Sequence, residues 1–258
     1  GALMGWLPIF KKEMRLYFGS PVAYVVFTFF LLISGWFFSQ IFLFYSDASM
    51  RSFMQPQFGQ NLNVIENVMR PLFTNMSVVL LFFIPMLTMR LFAEEKRSGT
   101  IELLLTYPVR DGEVLAGKYL ASLALFALLL VLTLLYPGLV AYFTKVEWGP
   151  ILSGYLGLLL TGAVFLAVGV LVSSMTENQI VAGFGTFGIL LAFWIVGWGA
   201  EFAGGTLRGV LQYLSIGDHL DGFTRGLIDT KDLVYYVSGV ALALFLTLRS
   251  LDSKRWKG

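Results

Sequence analysis

Six apolar stretches, each long enough to cross a bilayer, leave this chain few ways to fold. They run at about 22–45, 72–89, 115–143, 151–172, 179–200 and 233–248. A helix needs roughly 20 apolar residues to cross the hydrocarbon of a membrane. Hydrocarbon offers no partner to an open backbone, so such stretches cross as helices that bond their own N–H and C=O groups. The expected fold is all-α: a polytopic membrane protein of six transmembrane helices, one domain over 1–258. Composition agrees, with 57% hydrophobic and 13% charged residues, where a soluble globular chain averages about 25% charged. A core made from 258 residues cannot absorb that much apolar surface, so lipid must solvate part of it.

Other classes fall away on the same grounds. The net charge of +2 is small for a nucleic-acid surface, and the bases form no stripe interleaved with aromatics. There is no cysteine, which excludes disulfides, thiolate metal sites and cysteine nucleophiles. A single histidine excludes a histidine-cluster metal site.

Gly1-Ala2-Leu3 ahead of Met4 is expected to be an addition to the natural chain. Residues 4–18 pattern as an amphipathic helix. Lys11, Lys12 and Arg15 fall within about 100° of one another on a helical wheel, and Trp6, Leu7, Phe10, Met14, Tyr17 and Phe18 supply apolar area. That make-up suits a helix lying in the interface with its bases toward anionic headgroups. Gly19-Ser20-Pro21 then turns the chain into the bilayer. Span one is too long for a signal-peptide core and has no small-x-small cleavage pattern after it. Val64, Ile65 and Val68 predict a short surface helix over 63–69. Pro85 predicts a kink late in span two, and Pro137-Gly138 an interruption near the far end of span three. In span four Ser153, Gly157 and Thr161, then Ala163 and Ala167, recur at four-residue steps. Such a stripe lets helices approach closely in lipid, within one subunit or at a seam between two. Gly183, Gly185 and Gly188 make the first half of span five thin.

The bases give a topology. With the amino terminus inside, cytosolic segments hold Lys11, Lys12, Arg15, Arg90, Lys96, Arg97, Arg110, Lys118, Arg249, Lys254, Arg255 and Lys257. Outer segments hold Arg51, Arg70, Lys145, Arg208, Arg225 and Lys231, so the ratio is twelve to six. This bias predicts both termini in the cytosol, and with them the charge-dense insert between spans two and three, residues 85–118.

Within that insert Thr100 to Thr106 reads as a short amphipathic helix. Ile101, Leu104 and Leu105 share a face, Glu102 lies off it, and Gly99 and Pro108 bracket it. On residue pattern alone it is either a connector on the lipid surface or a rigid knob offered to a soluble partner. Arg90, Ala93-Glu94-Glu95, Lys96-Arg97, Gly99-Thr100, Glu102-Leu103-Leu104-Leu105, Pro108-Val109, Glu113 and Gly117-Lys118 together resemble the signature of ABC-2-type transporter permeases. The resemblance implies that this loop carries a coupling helix which fits a groove in a separate cytosolic ABC ATPase subunit. Glu94, Glu95, Arg97, Gly99, Thr100, Ile101, Glu102, Leu104, Leu105 and Pro108 become the candidate coupling residues. Leu104 and Leu105 would insert, and the charged residues would fix register.

Three other chemistries compete with this reading. Gly112-Glu-Val-Leu-Ala-Gly117-Lys118-Tyr119 nearly spells a P-loop, but Tyr119 cannot supply the compact hydroxyl that holds magnesium and no buried strand precedes it. An ion-coupled carrier should keep an ionisable residue deep in a span, and the middles of the six spans have none. A Ser215–His219–Asp221 or Asp218 triad lacks the Gly-x-Ser-x-Gly turn, so His219 is expected to be a structural residue at the bundle mouth, bonded to the backbone of Arg225 or to a nearby acid.

The stretch Asp218-His219, Phe223, Arg225-Gly226, Ile228-Asp229, Asp232 and Tyr235-Tyr236 is similar to the final loop of permeases tied to bacterial gliding machinery and nitrous-oxide-reductase maturation. Taken together the resemblances imply the permease subunit of an ATP-driven ABC transporter, with export the expected direction, in the bacterial cytoplasmic membrane. They imply a second permease copy or homologue, with an auxiliary membrane subunit bearing a large outer domain as a further partner. No cofactor is expected on this chain; ATP and Mg would bind the partner subunit. His219, Phe223 and Arg225 would form an outer gate. The alternative is a non-transporting anchor or force-transmitting subunit of an ATPase-driven machine such as gliding motility.

Overall fold

The computed structural model describes residues 5–54, 62–100 and 110–255, and among them all regular structure is helical. In chain order the helices are α1 (Trp6–Gly19), α2 (Pro21–Met54), a π turn (Ile65–Met69) running into α3 (Arg70–Thr88), α4 (Ala93–Arg97), α5 (Asp111–Thr133), α6 (Leu135–Phe143), α7 (Trp148–Met175), α8 (Gln179–Phe202), α9 (Gly205–Leu214), α10 (Ile216–Thr224) and α11 (Thr230–Arg255). Six stretches are long and apolar enough to cross a membrane: Pro21–Met54, Ile65–Arg97, Asp111–Phe143, Trp148–Met175, Gln179–Ala200 and Thr230–Asp252. The chain is an all-α polytopic membrane protein.

The helices outrun the apolar stretches that mark them. α2 has 34 residues, about 50 Å at 1.5 Å per residue, against a hydrocarbon core of about 30 Å. Its last turns carry polar side chains on the helix, with Asp47 and Arg51 paired one turn apart at 2.8 Å. The predicted surface helix over 63–69 is instead the start of the second crossing. Ile65, Val68, Met69, Leu72, Phe73 and Met76 form one buried stripe that continues from the π turn into α3. The Arg70 N–H bonds the Ile65 carbonyl five residues back, one residue before Pro71, which has no N–H to give.

The third crossing breaks one turn ahead of Pro137. α5 stops at Thr133 and α6 begins at Leu135. Pro137 cannot donate to the Thr133 carbonyl four residues back. The Tyr155 hydroxyl from α7 donates to that carbonyl at 2.8 Å instead, as membrane-buried backbone requires.

α7 is the hub, packing against α3, α5, α8, α10 and α11. Its glycines mark the close approaches. A Cβ at Gly154 would run into the Phe73 ring of α3, one at Gly162 into the Phe126 ring of α5, and one at Gly157 would fall 2.6 Å from Phe223 of α10. Thr161 and Ala167 are wholly buried there. The small residues of span four therefore serve packing within the subunit. α8 contrasts with it: Ile180, Val181, Phe184, Ile195 and Trp198 all face outward, an apolar surface left to lipid or to another subunit.

Candidate functional site

One end of the bundle is closed by α10 and the starts of α3, α7 and α11. The other gathers α1, α4, the start of α5 and the end of α7. The charged insert lies at the second end, where α4, five residues long, is held on two sides.

Toward α7, the N–H groups of Phe92 and Ala93 both donate to Ser173 Oγ at 3.1 Å, and that hydroxyl lies 3.2 Å from the Met89 carbonyl. A five-residue helix has almost no internal hydrogen bonds, so its first N–H groups need such a partner. At its other end Lys96 Nζ donates to the Ser174 carbonyl, at the C-terminus of α7, where carbonyls lack intrahelical donors and the helix dipole favours a cation. Gly99 closes α4 with φ of 70° and donates its N–H to the Lys96 carbonyl at 3.2 Å, a left-handed cap that suits glycine.

Toward α1 and α5, Glu95 Oε1 lies 3.0 Å from Lys12 Nζ and 3.0 Å from Lys118 Nζ. Lys118, on the second turn of α5, is 1% exposed. It donates to Glu13 Oε1 of α1 at 2.7 Å and to the Leu91 carbonyl at 2.8 Å, and lies 5.2 Å from the Phe92 ring centroid. α1 reaches this depth because α5 presents glycine to it: a Cβ at Gly117 would fall 2.8 Å from Ile9 and 2.9 Å from the Trp6 carbonyl. Glu113 bonds the Arg110 N–H at 3.1 Å, capping α5, and also sits against Gly5 at the start of α1.

A cavity of about 380 Å³ opens between α1, α2, α3 and α4, lined by Tyr17, Met86, Arg90 and Glu94 among others. Arg90 Nε pairs with Glu94 at 3.2 Å. Tyr17 Oη donates to the Leu87 carbonyl at 3.2 Å. Burial, reinforced by the charge of Glu13, holds the Tyr17 phenol well above the usual tyrosine range.

Of the candidate coupling residues, Glu94, Arg97, Gly99 and Thr100 are exposed at this end. Glu95 is turned inward, its carboxylate engaged by two lysines. Ile101, Glu102, Leu104, Leu105 and Pro108 lie outside the described residues. The near-P-loop sequence runs within α5 from Asp111, so Gly117-Lys118 forms no phosphate-cradling loop. Sequence reasoning misses Glu13. The one signal available is an acid set among the bases of α1.

At the opposite end the sequence-predicted trio separates. His219 and Phe223 are buried, whereas the Arg225 side chain is 48% exposed. His219 Nδ1 lies 2.6 Å from Asp232 Oδ1, Nε2 lies 2.9 Å from the Tyr213 carbonyl, and the Tyr235 ring stacks on it at 3.9 Å. The expected acid is therefore Asp232, and both ring nitrogens are taken without the Arg225 backbone. Ser215 Oγ accepts from the Asp218 N–H as the cap of α10, so Ser215, His219 and the acids of α10 do not assemble as a triad. Arg225 pairs with Asp221 at 2.8 Å, and Asp221 with Arg70 at 2.6 Å, tying α10 to the start of α3.

Six crossing helices about a glycine-bearing hub, with a charged insert clamped at one end, define a multi-pass helical membrane protein. The family model described as ABC-2 family transporter protein matches residues 7–248. The chain belongs to that family, and is thus a membrane component of an ABC transporter. Comparison with curated proteins gave no match.

Proposed function

We propose that this chain is the permease subunit of an ATP-driven exporter, powered by a separate cytosolic ABC ATPase that docks on residues 94–108. The observation that carries this is the double anchorage of α4. The segment leading into the loop is bonded to α7 through Phe92, Ala93 and Lys96, and to α1 and α5 through Glu95. A push on the loop therefore reaches several helices at once. Membership of the family supports the same partner. ATP and Mg belong to that partner; Leu104 and Leu105 insert into it, and Glu94, Arg97 and Glu102 set register at the rim, where charges govern specificity more than affinity. Two copies of the chain pair in the cytoplasmic membrane, with both termini in the cytosol as the base count indicates. His219 and Phe223 hold the outer hairpin rigid, and Arg225 alone of the three reaches the outer surface.

Leu104→Asp tests the docking reading. It places a charge in the inserted face, which costs several kcal/mol if that face is desolvated. The ATPase subunit is expected to co-purify with the wild-type chain in mild detergent and to be lost from the variant, with the variant still eluting as a folded species. Equal recovery of the ATPase with both forms would refute docking through Leu104.

A further inference from the structure

We infer that Lys118 is a positioning residue: it sets where α4, and with it the start of the docking loop, stands relative to α1 and α5. The inference rests on the docking reading for its functional meaning, and on the geometry for its mechanism.

A buried lysine is costly unless its charge is paired, and replacing a buried ion pair by apolar side chains of similar volume is often neutral or stabilising. The Lys118 ammonium meets three separate segments: it donates to Glu13 on α1 and to the Leu91 carbonyl ahead of α4, and it pairs with the Glu95 carboxylate on α4 at 3.0 Å. The Glu13 side chain is 6% exposed and that of Glu95 14%, whereas Lys12, the second partner of Glu95, is 51% exposed. Lys118 and Glu13 thus make an inner pair, and Glu95 is the link that α4 adds to it. The next residue, Lys96, is bonded to the opposite side, at the end of α7. Adjacent residues pull α4 in two directions, so its position is the balance of both. Displacement of α4 away from α5 leaves an ammonium without one of its partners in a low-dielectric setting, which is expensive. α1, α4 and α5 therefore travel together, and force applied at the loop enters the third crossing through Lys118 as well as through the covalent chain.

The test uses the full chain in its ATPase complex. The sequence has no cysteine, so this chain can be labelled at Lys11→Cys and Ser98→Cys alone before the ATPase is added, and the spin pair reports the α1–α4 distance. Glu13→Leu combined with Lys118→Met removes the inner pair in favour of apolar packing, a replacement that is often neutral or stabilising. It leaves Glu95 with the exposed Lys12 alone. The expected result is a broadened or shifted distance distribution, a melting temperature at or near that of the wild type, and permease-dependent ATP hydrolysis lower by about tenfold, the factor that 1.4 kcal/mol of lost coupling represents. Lys118→Arg, which keeps the charge, should retain a narrow distribution. An unchanged distance and unchanged hydrolysis in the apolar double substitution would overturn the inference and leave Lys118 a packing residue. If that variant does not fold, the swap Glu13→Lys with Lys118→Glu preserves the inner pair while turning a like charge toward Glu95. A wild-type distance in the swap would overturn the inference equally. Absence of any ATPase from the wild-type preparation would refute the docking reading instead, while the distances would still decide the role of Lys118.

Discussion

Glu13, Tyr17 and Lys118 show how much of the α4 end depends on single side chains. Tyr17 is the simplest to probe. Its hydroxyl bonds the Leu87 carbonyl across the cavity, and Tyr17→Phe should cost about 0.5–1.5 kcal/mol of stability at neutral pH, measured by thermal unfolding in detergent. The sign of its pH dependence follows from the raised ionisation of the folded phenol. Below the ordinary tyrosine value of about 10 the contribution is fully present. Above it the unfolded state gives up its proton first and the contribution is lost. The stability gap between wild type and Tyr17→Phe should therefore shrink as pH rises from roughly 9 to 11; a gap that widens there would contradict the assignment. At this scale the sequence is least legible. Gly117-Lys118 stands out only through resemblance, and its physical reason, a helix backbone pressed on the glycine and two acids around the lysine, needs the third dimension. His219 does have an acid beside it, but that acid is thirteen residues on, across a turn between two helices.

Elements are far more legible, because hydrocarbon filters sequence so strictly. All six crossing helices contain the apolar stretches that mark them, while their ends differ wherever polar residues stay helical beyond the lipid, as in α2. Pattern alone misplaces the region 63–69 as a surface helix, because the helical spacing of Val64, Ile65 and Val68 does not say what covers it; the stripe through Met76 does. Prolines are legible as interruptions but not as to their remedy. The Tyr155 hydroxyl stands in for the N–H that Pro137 lacks. Tyr155→Phe should cost about 1–2 kcal/mol by leaving the Thr133 carbonyl bare. Pro137→Ala restores the missing donor, so the loss caused by Tyr155→Phe should nearly vanish in that background. A double-mutant cycle in thermal unfolding reads this coupling, and additive effects of the two substitutions would contradict it.

At the scale of the whole molecule the two ends differ in kind. The α10 end is stitched by Arg70, Asp221 and the His219–Asp232 pair into a fixed lid on the bundle. The α4 end is a short helix suspended between α7 on one side and α1 with α5 on the other. On the proposed function, the α4 end is where the subunit receives motion, because its short helix is bonded to both sides of the bundle. In the sequence the insert is visible as a charged interruption between apolar spans, and the proposed docking face as the spacing of Ile101, Leu104 and Leu105. What holds α4 is hidden there, because its partners lie on α1, α5 and α7, between 23 and 83 residues away in the chain.

The most direct measurement is to place a photo-crosslinking amino acid at Leu104 in the full chain, irradiate native membranes, and identify the adduct by mass spectrometry. The account predicts one dominant protein adduct, a soluble subunit carrying a P-loop, absent when the same probe is placed at Arg225 on the opposite end. Adducts to lipid alone, or the same protein captured from both positions, would contradict it.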